Sequence, residues 1–212
     1  MAKKRYLKIE YSVLILAIIG VVLFLLPLSA GNVRQANFIS RWNEKYNRLE
    51  YMFSVINAHV TDDMILSMKR AQSPQEREQL LLTIIKPYLR IDTEKRPKHY
   101  KPRYFDGSKI WKGEQYFFED FYFAENNTIL GIKNINTEKP SDPFFIMMFD
   151  INGSLLPNRW GKDIFGVSIY DKARVEPFGY DKSMYELKED CSNEGTGLYC
   201  SYYYKIGGGF DD

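Results

Sequence analysis

Residues 11–33 read YSVLILAIIGVVLFLLPLSAGNV, 23 positions without a charged side chain. That slightly exceeds the roughly 20 residues needed to cross a hydrocarbon core of about 30 Å as an α-helix. Lys3, Lys4, Arg5 and Lys8 precede the run, and Glu10 stands at its mouth. Positive flanks stay cytoplasmic, so this order predicts a single-pass helix with the bulk of the chain exported. A plain signal anchor accounts for everything except Glu10. A removable signal ending near Leu28-Ser29-Ala30 is a further reading, with an apolar core that is long for one. A carboxylate costs about 2.5 kcal/mol or more at the centre of a bilayer, so Glu10 predicts a partner.

Beyond that run, Phe38, Trp42, Tyr46, Leu49, Phe53 and Ile56 recur at steps of three and four, drawing one apolar helical stripe. It predicts that the first helix continues beyond the uncharged run, bent at Pro27, or that two helices break at Ala30-Gly31-Asn32. A second helix is expected from Pro74 to Leu89, capped by Ser73 with Glu76 three residues on. Asp92 to Lys101 then reads as a charged connector broken by Pro97 and Pro102. Its cations, Lys95, Arg96, Lys98, Lys101 and Arg103 with His99, suit a solvated loop or a contact with anionic lipid or a partner. Strands are expected over Gln115–Glu125, Thr128–Ile135, Phe144–Asp150, Ile164–Tyr170, Val175–Tyr180 and Tyr199–Ile206, with a hairpin turn at Asn126-Asn127. Helices followed by a run of strands predict an α+β fold with an antiparallel sheet. The expected organisation is a leader and transmembrane helix over 1–30, a helical region and connector over 31–103, and a β-rich domain over 104–212.

Lys and Arg number 29 against 27 Asp and Glu, and the four cations of the leader leave the remainder near neutral. Nothing in that balance points to nucleic acid. Aromatic residues at 16% favour β structure and a tyrosine-rich surface. Cys191 and Cys200 bracket CSNEGTGLYC and are expected to form a disulfide in an exported domain, since they lack the second pair a zinc site needs. Enzyme signatures are thin: His59 and His99 fit no metal box, and there is no G-x-S-x-G or phosphate-cradling loop.

Two motifs carry a family resemblance. IEYSVLILAIIGVV, residues 9–22, resembles the N-terminal helix of type IV pilins and of type II secretion pseudopilins, with Tyr6 at the family's aromatic first residue and Glu10 at its glutamate. Pro27 falls where many pilins bend, and Arg5 stands where the family's leader carries a small residue, usually Gly. DINGSLLPNRWGKDIFG, residues 150–166, resembles a D-x-N-G-x-x-x-P-N-x-x-G-x-D-x-F loop found in many pilin-like C-terminal domains. The resemblance implies a long helix packed on an antiparallel sheet, a prepilin cleaved between Arg5 and Tyr6 with a methylated Tyr6 amine, and a disulfide near the C-terminus. It also implies a non-enzymatic assembly role at the bacterial inner membrane, with other pilin-like subunits and their assembly machinery as partners. The rival expectation is a single-pass anchored binding module that never polymerises.

The loop itself leaves two readings. Asp150, Asn152 and Asp163 are hard oxygen ligands, and some pseudopilins hold calcium in a C-terminal loop, so the three are candidate calcium ligands. Alternatively they form an Asx-turn framework in which the carboxylates accept backbone amides.

Overall fold

The computed structural model describes residues 2–59, 68, 70–135, 139, 141–170, 172 and 174–209, with the side chains of 2–10, 23–32 and His59 outside that description. It divides into two compact units, 1–37 and 38–212. Helix α1 is Ala2–His59. In the first unit every described side chain from 11 to 22 is exposed, apolar ones included. Among the described residues no helix is long and apolar enough to cross a membrane, and the side chains of 23–32, within the uncharged run, lie outside them.

The second unit is mixed α+β. Its strands β1 (Asp120–Phe123), β2 (Ile129–Asn134), β3 (Phe145–Asp150), β4 (Ile164–Ile169) and β5 (Val175–Pro177) pair in sequence order into a five-stranded antiparallel sheet. The expected turn at Asn126-Asn127 joins β1 to β2, both asparagines adopting positive φ (55° and 59°), which Asn tolerates better than most residues. Asp150 pairs with Ile164 where β3 leaves and β4 enters the sheet, so the 151–163 loop hangs from one end of two central strands.

Alternation along β3 gives the sheet two buried faces. Phe145, Met147 and Phe149 turn to the helices, where all six residues of the α1 stripe are buried. Trp42 stacks on Phe165 of β4 with ring centroids 5.0 Å apart. Helix α2 (Pro74–Leu89) adds Leu81, Leu82, Ile85 and Leu89 to this core. Each such side chain contributes about 1.5–3 kcal/mol on burial. Ser73 caps α2 as expected, accepting from the Glu76 amide, but the Glu76 carboxylate accepts from Gln72 N instead of closing the box on Ser73.

Ile146 and Met148 point to the other face, which non-strand chain covers with Tyr104, Phe118, Trp160, Phe178 and Leu198. Gly166 makes room there: a Cβ would lie 2.3 Å from a Phe178 ring carbon. The connector reading is therefore half changed. Lys95, Arg96, Lys98, His99, Lys101 and Arg103 are exposed, but Tyr100 among them turns its hydroxyl onto the buried Asp150, and Tyr104 and Phe105 directly after them are buried.

Three strand expectations are corrected. Gln115–Glu125 is strand only from Asp120 to Phe123, because Phe118 folds down onto the second face instead of extending the edge. Val175–Tyr180 stops at Pro177, with Gly179 turning at φ 91°. Tyr199–Ile206 is not an edge strand: Cys200–Tyr203 forms a helical turn, α4, pinned where Ser201 Oγ accepts from the Gly166 amide at 2.9 Å. Helix α3 (Met184–Asp190) was not expected, although Ser183 and Glu186 spell its capping box.

Candidate functional site

The loop between β3 and β4 is organised by its two acids, both fully buried. Asp150 Oδ1 accepts from the Asn152 amide at 3.1 Å, an Asx-turn contact, and Oδ2 accepts from the Tyr100 hydroxyl at 2.6 Å. Asp163 spans the far side, taking Asn158 N on one oxygen (2.9 Å) and Arg159 N on the other (2.7 Å). With its amide turned to satisfy its neighbours, Asn158 Nδ2 lies 3.1 Å from Asp150 Oδ2 and 2.6 Å from the Leu155 carbonyl. Gly153, Asn158 and Gly161 all have positive φ, and the Leu156–Pro157 bond is cis. The turn formers thus bend the chain, and the carboxylates collect the amides that bending leaves over.

The electrostatics follow from burial. Desolvation, and then the nearby Asp163 charge, push the Asp150 carboxyl up to about 8, against the hydrogen bond from Tyr100. Asp163 is raised too, by desolvation, opposed by its bonds from Arg159 and Asn158. Tyr100 is held well above the usual phenol range by burial and then by Asp150.

The structure thus brings Asp150, Asn152 and Asp163 into one loop. The contacts of the two carboxylates are with N–H and O–H donors, as an Asx-turn framework requires. A calcium ion would draw on their remaining lone pairs and on Asn152 Oδ1, which has no hydrogen-bond partner among the described residues. Among those residues no three His, Cys, Asp or Glu side chains group as a metal site.

The expected Cys191–Cys200 disulfide is formed, with Cα atoms 5.2 Å apart. Its loop meets the first one at Gly161, whose φ is 74° and where a Cβ would lie 2.4 Å from Cys200 Sγ. The Tyr204 hydroxyl donates to the Gly161 carbonyl at 3.0 Å. Asp190 holds the disulfide loop, accepting from Thr196 N and Tyr199 N. Phe105 N donates to the Thr196 carbonyl, tying the connector to the same end of the sheet.

Tyr100, Asp190 and Ser201 are the organising residues that sequence reasoning missed. Asp190 had a local signal, since it ends a helix opened by a capping box and precedes Cys191. Tyr100 had none, lying 50 residues from its partner. Arg5, Tyr6 and Glu10 fall within α1, but their side chains lie outside the described residues, as does that of Pro27. No protein-family model, no curated protein and no solved structure matches this chain.

Proposed function

We propose that this chain is a pilin-like or pseudopilin-like subunit of a bacterial envelope filament or type II secretion-type system, with a structural role in assembly. The observation that carries the reading is the division of labour along α1. From Tyr11 to Val22 its apolar side chains are exposed on all sides, whereas from Phe38 to Ile56 one stripe is buried on an antiparallel sheet. A helix apolar all round requires an apolar surround. The inner membrane supplies one before assembly, and neighbouring subunits' helices supply one after it. The domain from Phe38 onward is extracytoplasmic, and the disulfide suits that compartment.

Glu10 then has a defined task. In a filament core its carboxylate meets the α-amino group of Tyr6 in a neighbouring subunit, neutralising a buried charge and setting the stagger between subunits. That amine exists only after cleavage between Arg5 and Tyr6. Glu10→Ala is therefore expected to abolish co-assembly while leaving expression intact. The Asp150–Asp163 loop serves as a rigid framework in this reading, and calcium enters only if added calcium raises its thermal stability.

The second reading, a single-pass anchored module that does not polymerise, is favoured by Arg5 in place of the leader's small residue. Intact mass and N-terminal sequencing of the protein from its native membrane separate the two. A chain beginning at N-methylated Tyr6 supports the assembly subunit, and one beginning at Met1 or Ala2 supports the permanent anchor.

A further inference from the structure

Of the three tryptophans, Trp42 and Trp160 are fully buried while Trp111 is 75% exposed. Trp111 sits on a turn in which Glu114 N donates to its carbonyl at 3.1 Å. It lines a depression of about 370 Å³ together with Tyr104, Glu114, Gln115, Tyr116 and Tyr199. The depression is shallow and open, so a ligand there keeps one face in solvent.

The walls are fixed. Tyr116 packs its ring on Phe178 at 4.8 Å, and the Tyr199 backbone is held by the Asp190 carboxylate inside the disulfide-closed loop. Among the described residues the lining combines an exposed aromatic plane, further phenol rings, Leu198, the Thr196 hydroxyl, the Gln115 amide and the Glu114 carboxylate, with the Asp190 carboxylate already taken by Thr196 and Tyr199, and it includes no lysine or arginine. Two cations flank the depression outside that lining: Lys133 Nζ donates to the Glu114 backbone carbonyl at 3.0 Å, and Lys182 Nζ lies 5.6 Å from the centroid of the Tyr199 ring.

A pyranose ring matches this chemistry. Its C–H face is apolar and stacks on an aromatic plane, while its hydroxyls donate to carboxylates and exchange hydrogen bonds with amides and phenols. An apolar side chain would leave Glu114 and Gln115 unused, and an anionic sugar would meet acids with no cation in the lining. We propose that this depression binds a neutral saccharide, with Trp111 as its stacking platform and Glu114 and Gln115 as hydroxyl partners. The inference rests on the second compact unit alone and does not depend on the assembly reading.

The test titrates the full-length chain, in a detergent without a sugar headgroup, with cellotriose, maltotriose, chitotriose and trigalacturonate. At least one neutral trisaccharide is expected to give a saturable blue shift of tryptophan emission, because Trp111 alone of the three is exposed. By calorimetry, Trp111→Ala weakens that binding about tenfold, the loss of one aromatic stacking contact. Trp111→Tyr retains most of the affinity. Both variants keep the wild-type melting temperature, as exposed substitutions generally do. The proposal is overturned if no neutral trisaccharide binds at tens of millimolar, if trigalacturonate binds as well as the neutral sugars, or if Trp111→Ala binds as tightly as the wild type. A blue shift that grows with protein concentration without sugar would also overturn it, assigning the Trp111 face to self-association.

Discussion

Trp42 and Trp160 are both fully buried, on opposite faces of one sheet, and are held in different ways. Trp42 stacks on Phe165, and its indole N–H donates to the Ser201 carbonyl at 2.8 Å, 159 residues along the chain. Trp160 packs against Phe118 and Phe178, and its N–H has no acceptor among the described residues. The helix face is specified by a regular element and a directional bond. The other face is filled by aromatic shape from irregular chain. Equal burial therefore does not mean equal specification, because a directional bond penalises alternative packings beyond what shape alone does.

Truncating either indole opens a cavity in a packed face. Trp42→Ala should cost about 3–5 kcal/mol, near the upper end because the Ser201 carbonyl also loses its donor. Trp160→Ala leaves no acceptor unpaired and should cost measurably less in thermal unfolding followed by near-ultraviolet circular dichroism. Equal losses would break the distinction. Next, replacing Cys191 and Cys200 together by Ser should cost about 2–3 kcal/mol, as expected for a bridge closing a short loop. Because Ser201 follows Cys200, hydrogen exchange at the Trp42 indole N–H, which the Ser201 carbonyl holds, should quicken.

These asymmetries also explain what was legible in the sequence. The α1 stripe, the Ser73 cap and the Asn126-Asn127 turn are local or periodic, and each is found where its pattern places it. The central strands β2, β3 and β4 lie close to their expected bounds because they are short apolar runs between turn formers. The covering of the second face was not legible. Tyr104, Phe118 and Trp160 come from three separate segments with no shared period, and nothing local says that they meet. The tyrosine run at 199–204 has strand composition, but its conformation is set by tertiary contacts with Gly161 and Gly166. In the loop, the role of the acids was visible as one of two alternatives, and Tyr100 was not visible at all.

Conservative substitution separates the two tryptophans further. Trp→Phe keeps an aromatic ring and removes only the indole N–H with part of the volume. At position 42 it leaves a buried carbonyl unpaired, an added cost of about 1–3 kcal/mol. At position 160 it deletes a donor that had no acceptor, offsetting some of the lost packing. Trp160→Phe should therefore be the milder change by denaturant midpoint. The reverse order would show that the second face is the more tightly specified one.

The smallest change per step is a slope with pH, and it probes the second face through Asp150. A carboxyl raised to about 8 is protonated in the folded state and ionised in the unfolded state between roughly pH 4 and 8. The folded state then binds more protons, so stability is fullest below about pH 4 and falls as pH rises towards 8, by at most about 1.4 kcal/mol per pH unit for one group. Asp163 is shifted in the same direction and adds to the slope. Asp150→Asn cannot ionise. Its carboxamide keeps one accepting oxygen, but its NH2 now faces a donor the carboxylate had accepted from, the Asn152 amide on one side or the Tyr100 hydroxyl and Asn158 amide on the other, a cost that does not vary with pH. The variant should start less stable than the wild type at pH 4 and close the gap as pH rises to 8. Parallel stability curves for the two proteins would mean that Asp150 ionises alike in both states, leaving Asp163 as the only acid in this loop able to carry the slope.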